Sequence, residues 1–298
     1  MFDFRYHVAS LAAVFVALVI GILVGVGLSG QGFVTESERA RLENRIDDLS
    51  AAVEAQKQRA DDLDRSAAAA DDFTSDAYPV LAADRLKGKR VAIVVVGSAD
   101  QSLLGDVSRA VGDAGGDILR TRMLRMPLDP ETVQEKLRAR PALAGYVGEQ
   151  HVGDLGRDVG RELVSGGQTP LLDTLSDTLV EERTGPLAPE ADAVVVVRTA
   201  APQQGASGSF VKGLYSGLAG AGPPAVGAET TQADPTAVPT FARRGLSTVN
   251  NVDTPLGRLA LVLLLAGGQP GSYGIRDSDA ILPPIEPLPP ASEPGSGG

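Results

Sequence analysis

From Val8 to Leu28 the chain runs for 21 residues without an ionisable side chain. As a helix rising 1.5 Å per residue this stretch would reach about 31 Å, which matches a bilayer hydrocarbon core of about 30 Å. Such a run near the start either holds the chain in a membrane or is removed as a leader. A cleavable signal peptide has an apolar region of about 7 to 15 residues, closed by an A-x-A-like site. Here the run is longer, and the small residues of GVGLSGQGF, from Gly25 to Phe33, do not form that pattern. The reading is an uncleaved signal anchor over residues 8–29, with a cleaved leader as the alternative. Arg5 precedes the run and the next Lys or Arg is Arg39. The positive-inside tendency then keeps residues 1–7 in the cytoplasm and places the rest of the chain outside the membrane.

Within the span, Ala9, Ala13, Ala17, Gly21, Gly25 and Ser29 fall four residues apart and include one GxxxG, Gly21 to Gly25. Rows of this kind let two membrane helices approach closely, so Ala13, Ala17, Gly21 and Gly25 are candidates for helix association. The competing reading is that Ala and Gly are simply abundant in this chain. After the span, residues 33–72 turn to Glu, Arg, Asp, Ala and Gln. Apolar residues recur there at Leu42, Ile46, Leu49, Val53, Ala60 and Leu63, with Gln56 interrupting one core position. Alternating steps of four and three make a heptad. Its β-branched Ile46 and Val53 alternating with Leu42, Leu49 and Leu63 favour a parallel two-stranded coiled coil and hence a homodimer. A single helix lying against its own globular domain is the alternative, because only about three heptads are well formed.

The remaining chain has an ordinary globular pattern. There is no Trp and the aromatic fraction is 4%, so a core must be built from Val, Leu, Ile and Ala. That suits parallel strands covered by helices. VAIVVVG (91–97) and ADAVVVVRT (191–199) read as strands buried on both faces. ILRTRML (118–124) and ALAGYV (142–147) read as further strands, and PAVGAE (224–229) and LSTVNNVD (246–253) as later strand ends. SLLGDVSRAVGDAGG (102–116), a segment opening at Asp129-Pro130, residues 153–164 and PLGRLALVLLLAGG (255–268) read as helices. Strands alternating with helices over residues 73–276 imply a Rossmann-like or flavodoxin-like α/β domain with a mainly parallel sheet. The stretch 277–298 is rich in Pro, Gly and Ser and reads as a disordered tail.

Charge and residue inventory exclude several classes of function. The formal net charge is -11 with no cluster of Lys or Arg, which argues against a nucleic-acid partner. Without Cys there are no disulfides, thiolate nucleophiles or Cys-held metals. The turn GSADQSLLG after the first strand matches neither GxGxxG nor GxxxxGK[ST], and Asp100 would repel a phosphate there. GASGS at Gly205 fails GxSxG, and the acids Asp71, Asp72, Asp76, Glu181 and Glu182 read as solvated helix faces. No catalytic constellation emerges, and the chain does not read as an enzyme. Met123 and Met126 form M-x-x-M, whose thioethers suit Cu(I), and His151 is the one imidazole beyond the span. All three are weak metal candidates, since two Met beside Arg122 and Arg125 more often pack a strand.

The opening MFDFRYHVASLAAVFVALVIGILVGVGLSG, the heptad segment, VAIVVVGSAD and NNVDTPLGRLALVLLLAGGQPGSYG together resemble the MctB family of actinobacterial envelope proteins. The resemblance covers most of residues 1–275 and is carried most strongly by Phe4, Arg5 and His7 before the span and by NVDTPLG and GSYG. It implies a part in copper transport or copper homeostasis, with copper as the only implied cofactor and an outer-membrane location in the family's name. The residues themselves point to a second class of function. A dimeric, membrane-anchored coiled coil would hold the α/β domain as a platform for another envelope protein, in cell-wall assembly or division.

Overall fold

A computed structural model describes residues 4–29, 36–98, 100–276 and 278–287. Contacts divide the chain into two units, Met1–Ala69 and Ala70–Gly298. The first holds helix α1 (Phe4–Ser29) and most of helix α2 (Glu36–Ala82). Within α1, Val8–Val26 has a mean hydropathy of 2.8 and is long and apolar enough to cross a membrane. Its described side chains are exposed on every side, as expected of a helix whose solvent is lipid.

The second unit is a doubly wound α/β domain. Its strands are β1 (Arg90–Val96), β2 (Asp117–Leu124), β3 (Val180–Thr184), β4 (Ala193–Arg198), β5 (Ala225–Ala228), β6 (Ser247–Val249) and β7 (Ser272–Tyr273). They form one sheet in the order β3-β2-β1-β4-β5-β6-β7. Every pairing is parallel except β2 with β3. The β-branched runs of β1 and β4 occupy the centre, and Val91 to Val96 are at most 1% exposed. Alternate side chains serve two cores, as the period of two requires. Val91, Ile93 and Val95 meet α3 (Gln101–Asp113), α9 (Pro255–Leu265) and the end of α2. Ala92, Val94 and Val96 meet the helices of the other face: α4 (Pro130–Arg138), α5 (Val152–Ser165), α6 (Pro170–Leu179), α7 (Gly205–Ala219) and α8 (Val238–Ala242).

Helix starts follow capping chemistry. The Asp100 carboxylate accepts from the amides of Ser102 (3.0 Å) and Leu103 (3.1 Å), and Asp129 accepts from Thr132 N with Pro130 at the first helical position. Both satisfy amides that the first turn leaves free.

Three expectations are corrected. The segment expected as a strand at 142–147 is a 3-10 helix, Pro141–Tyr146. It opens on Pro and has no β-branched residue before Val147, so nothing in it favours a pleated strand over a tight turn. Glu181 and Glu182 lie on the edge strand β3, not on a helix face. Strand β3 follows α6 with no connecting residue and pairs antiparallel with β2. Its exposed charges also blunt that sheet edge. Finally, α2 runs on to Ala82, past residue 72. Tyr78 and Ala82 are 6% and 0% exposed, and their burial in the domain core carries the helix through Pro79.

Of the expected tail, residues 278–287 are described and tied to the domain. Gly274 N donates to Ala280 O (3.0 Å), and the Arg85 guanidinium donates to Glu286 O (3.0 Å). Residues 277 and 288–298 lie outside the described residues.

Candidate functional site

In an open α/β sheet, ligands bind outside the carboxyl ends of the strands where the strand order reverses. Here that point lies between β1 and β4, whose following helices leave to opposite faces. On the α3 side the crevice is occupied by the chain itself. Gly97 has φ +118, and a Cβ there would lie 2.5 Å from Ala200 N. Val96 O accepts from both Thr199 N (3.1 Å) and Ala200 N (3.0 Å), and Thr199 Oγ1 donates to Ser98 O (2.6 Å). The amides that would greet a phosphate at the start of α3 are those already taken by Asp100. The lack of a phosphate fingerprint in GSADQSLLG thus has a geometric counterpart in a turn that binds itself.

Further along the same edge of the sheet, NNVDT and GSYG meet. Asn250, 2% exposed, follows β6. Its Nδ2 donates to Arg276 O and to Ser278 Oγ (2.9 Å), while its Oδ1 accepts from Ile275 N (3.0 Å). Gly274, at φ +134, is needed beneath it, because any Cβ there would collide with Asn250 Oδ1. The Asp253 carboxylate accepts from Thr231 N (2.8 Å) and Thr231 Oγ1 (2.5 Å). Thr254 caps α9 by accepting from Gly257 N (3.1 Å). One turn on, Arg258 sits 3.5 Å from Asp106 on α3, and its guanidinium carbon lies 5.4 Å from the ring centroid of Tyr78. Tyr78 in turn donates to Asp113 Oδ2 (3.0 Å). Burial, with the Asp113 bond, pushes that phenol well above its usual range. These residues form a latch joining β6, β7, α9, α3 and the end of α2.

A cavity of ≈ 240 Å³ opens beside the latch, with Glu229, Thr236, Asn250, Ser272 and Arg276 among its walls. Glu229 is 4% exposed. One carboxylate oxygen accepts from Thr236 Oγ1 (2.5 Å) and faces Arg276 at 3.8 Å, and the other accepts from Ala237 N (2.7 Å). Its lone pairs are therefore directed at internal partners, which makes it a poor metal ligand or general base.

The sequence pattern of the family described as copper transport outer membrane protein, MctB, matches residues 1–284. This chain belongs to the MctB family. Similar proteins named copper transporter MctB occur in Mycobacterium bovis and in Mycobacterium tuberculosis strain H37Rv. Each is 29% identical over 311 residues, covering 92% of this chain and 96% of the relative. NVDTPLG and GSYG hold the carboxyl edge of the domain together.

The three candidate copper ligands of this MctB chain do not converge. Met123, 6% exposed, packs in the core of the α3 face, whereas Met126 packs against the core of the opposite face. His151 stands half-exposed at the start of α5, its Nδ1 3.8 Å from Asp154 Oδ2. Among the described residues no group of three or more His, Cys, Asp or Glu could hold a metal ion.

In the first unit the heptad residues share an unpartnered face of α2. Leu42, Ile46, Leu49, Val53 and Leu63 are 53 to 69% exposed. In α1, a Cβ placed on Gly21 or Gly25 would meet nothing within 4 Å, so that face has room for a neighbour. Sequence reasoning missed the Tyr78–Arg258–Asp106 cluster, whose members come from three separate segments. It also missed the glycines that let α5 and α7 touch: Gly156, Gly160, Gly213 and Gly217. Their i, i+4 spacing is the same one noted in the span.

Proposed function

We propose that this MctB-family protein is an uncleaved single-pass anchor whose α2 helix pairs with a second copy. The pair holds the α/β domain outside the membrane as a docking platform for another cell-envelope protein, in cell-wall assembly or division. The observation that carries this reading is the exposed heptad face from Leu42 to Leu63. Full burial is worth roughly 1.5–3 kcal/mol per large apolar side chain, so five of them offer about 8–15 kcal/mol gross. Association costs about 4–15 kcal/mol, which leaves a short coil marginal on its own. Confinement of both anchors to one membrane raises their effective concentration and favours pairing. Asn250, Asp253 and Glu229 at the carboxyl edge of the sheet are committed to internal bonds, which supports a binding role over catalysis. A helical anchor with a basic residue before it supports a cytoplasmic N-terminus.

The chain has no Cys, so single-Cys substitutions give a clean test in membranes. Leu42→Cys and Leu49→Cys are expected to crosslink to a second copy, Asn44→Cys is not, and an oxidation-dependent reporter at the C-terminus is expected to be active. Failure of both core positions, or equal crosslinking at Asn44, would overturn the pairing. Crosslinked cells that yield no envelope partner on pull-down would remove the platform.

The names of the M. bovis and M. tuberculosis relatives favour a second reading, direct copper transport or homeostasis by this chain. Isothermal titration of the detergent-solubilised protein with Cu(I) tests it. Saturable binding tighter than micromolar, weakened by Met123→Leu, Met126→Leu or His151→Gln, supports it. Weaker binding leaves copper to a partner.

A further inference from the structure

Past the isolated bridge between Tyr273 and Ala280, the chain continues from Ile281 to Pro287 as a strap on the α3 side of the domain. Leu282 packs against the core of that face and Pro283 is buried, whereas Pro284, Ile285, Glu286 and Pro287 are exposed. Beyond Ala280 the strap makes no backbone–backbone hydrogen bond among the described residues. Its far end is held by Arg85, whose Nη1 donates to Glu286 O (3.0 Å) while its Nε donates to Leu81 O on α2. Pro283, Pro284 and Pro287 each fix φ at about −65°. That is the backbone of a polyproline II strand, in which every third side chain shares an edge, so Pro284 and Pro287 lie together.

Both prolines line a cavity of ≈ 300 Å³, whose other walls include Arg85, Leu263, Ala266 and the turn Gly267–Gln269. Leu263 is buried and Ala266 half-buried, so part of the lining is apolar, while Gly267 and Gln269 are exposed at its mouth. A Cβ on Gly267 would meet nothing within 4 Å, which leaves that mouth open. A cavity of about 150 Å³ accepts a benzene ring, so this one has room for a phenol or an indole. The lining suits such a ring. A guanidinium is attracted to an aromatic face, and polyproline II strands are recognised by grooves lined with aromatic side chains. Among the described residues no aromatic side chain of the chain itself lines the space.

We infer that Pro284 to Pro287 and this cavity together form a docking site for a protein that presents an aromatic side chain, tryptophan above all, from a groove that takes a polyproline II strand. The partner's ring enters beside Pro284, Pro287 and Leu263, and its groove closes over the exposed edge of the strap. Leu282 and Arg85 hold the strap extended beforehand, which lowers the ordering cost of binding. The inference rests on the platform reading of the domain, to which it gives a surface and a kind of partner, and it requires neither copper nor pairing of α2.

The test is fluorescence titration of full-length protein in detergent with N-acetyl-tryptophanamide. The chain has no Trp, so all indole emission belongs to the probe. A saturable blue shift in the millimolar range is expected, absent with detergent micelles alone and not competed by N-acetyl-leucinamide. Arg85→Gln removes the guanidinium and should weaken binding about two- to fivefold. Pro287→Ala, at an exposed position, should weaken it several-fold with an unchanged melting temperature, and Ala266→Leu, which fills the cavity, should abolish it. No saturable shift, or a shift untouched by both Pro287→Ala and Ala266→Leu, would overturn the site. In crosslinked cells, an envelope protein captured by the wild-type chain should be lost with Pro284→Ala/Pro287→Ala. Equal capture by that variant would overturn the site and leave the platform standing, an outcome distinct from an empty pull-down with the wild type, which removes the platform itself.

Discussion

Gly160 faces α7 at a point where a Cβ would lie 2.5 Å from Leu214 O and 3.0 Å from Leu218 N. Real Cβ atoms essentially never come closer than 3.0 Å, so Gly160→Ala must push the two helices apart by at least about half an ångström. A gap of about 0.5–1 Å forfeits a quarter to a half of each dispersion contact it opens. The contacts at stake are those of Leu155, Val159, Leu163, Phe210, Leu214 and Leu218, all 0% exposed. Overpacking of this kind costs about 1–3 kcal/mol, and Ala returns up to about 1 kcal/mol through helix propensity. The net expectation is a loss of about 1–2 kcal/mol and a fall in Tm of about 2–8 °C. Gly217→Ala, whose Cβ would approach Arg157 O more closely still, should lose more. Gly105→Ala in α3, where a Cβ meets nothing within 4 Å, is the control. It should gain about 0.5–1 kcal/mol. With no Trp in the chain, the emission of its five Tyr, among them Tyr215 against Phe241, follows unfolding. If Gly160→Ala melts at or above the wild-type temperature while Gly105→Ala behaves as stated, the two backbones are not in contact and the packing argument fails.

Thr254→Ala removes the α9 cap and should lower stability by about 1 kcal/mol, with faster hydrogen exchange at the Gly257 amide; Thr254→Ser should restore most of both. The Asp192 carboxyl is held below its usual range by the Arg90 backbone N–H (2.8 Å) and then the Arg90 guanidinium (3.1 Å). A depressed carboxyl contributes stability above its unfolded pKa and loses it as pH falls through the folded value. Asp192→Asn should therefore be slightly less stable at neutral pH, by under about 1 kcal/mol for a pair this exposed, and should lose less on acidification. Urea midpoints at neutral pH and in the acid carboxylate range check both. The Glu162 carboxyl is displaced the other way by burial, against the pull of the Leu171 and Leu172 amides. Its share of stability should fall as pH rises from the ordinary glutamate value, and Glu162→Gln should flatten that part of the profile while keeping only one of the two amide contacts, since the glutamine nitrogen cannot accept.

The sheet was legible where a strand's environment is uniform. VAIVVV and AVVVV are buried on both faces, so their unbroken apolar runs carry the signal without help from partners. Capping chemistry likewise fixed the start of α4, because Asp129-Pro130 acts within a single turn, whereas the caps at Asp100 and Thr254 emerge only from the structure. Legibility failed where the deciding neighbour is remote in sequence. Residues 142–147 have a strand's composition only in part, and whether a slot in the sheet awaited them depended on β3, which VEERT does not announce. Arg120 and Arg122 show the same limit. Each is at most 4% exposed and donates to carbonyls between Leu163 and Pro189 or around Thr184, so two apparently ordinary basic residues in a strand are clamps for a distant loop.

Spacing alone also does not name its solvent. The four-residue step of Gly21 and Gly25 occurs again in Gly156 with Gly160 and Gly213 with Gly217, where it joins two helices inside the α/β domain. In the domain the partner is visible: backbone meets backbone. In the span and in the heptad that follows, the small and apolar faces are equally regular, and the pairing proposed above would give them a partner in a second copy. The physical requirement is the same in both places, since an exposed row of Leu42, Ile46, Leu49 and Val53 costs solvation that a matching surface removes. A second copy would supply that match in register, because identical heptads anchored side by side in a membrane would start at the same depth. Pairing of α2 is therefore the reading most directly exposed to experiment, and single-Cys crosslinking at Leu42 and Leu49 decides it before any question of copper or of partner needs to be asked.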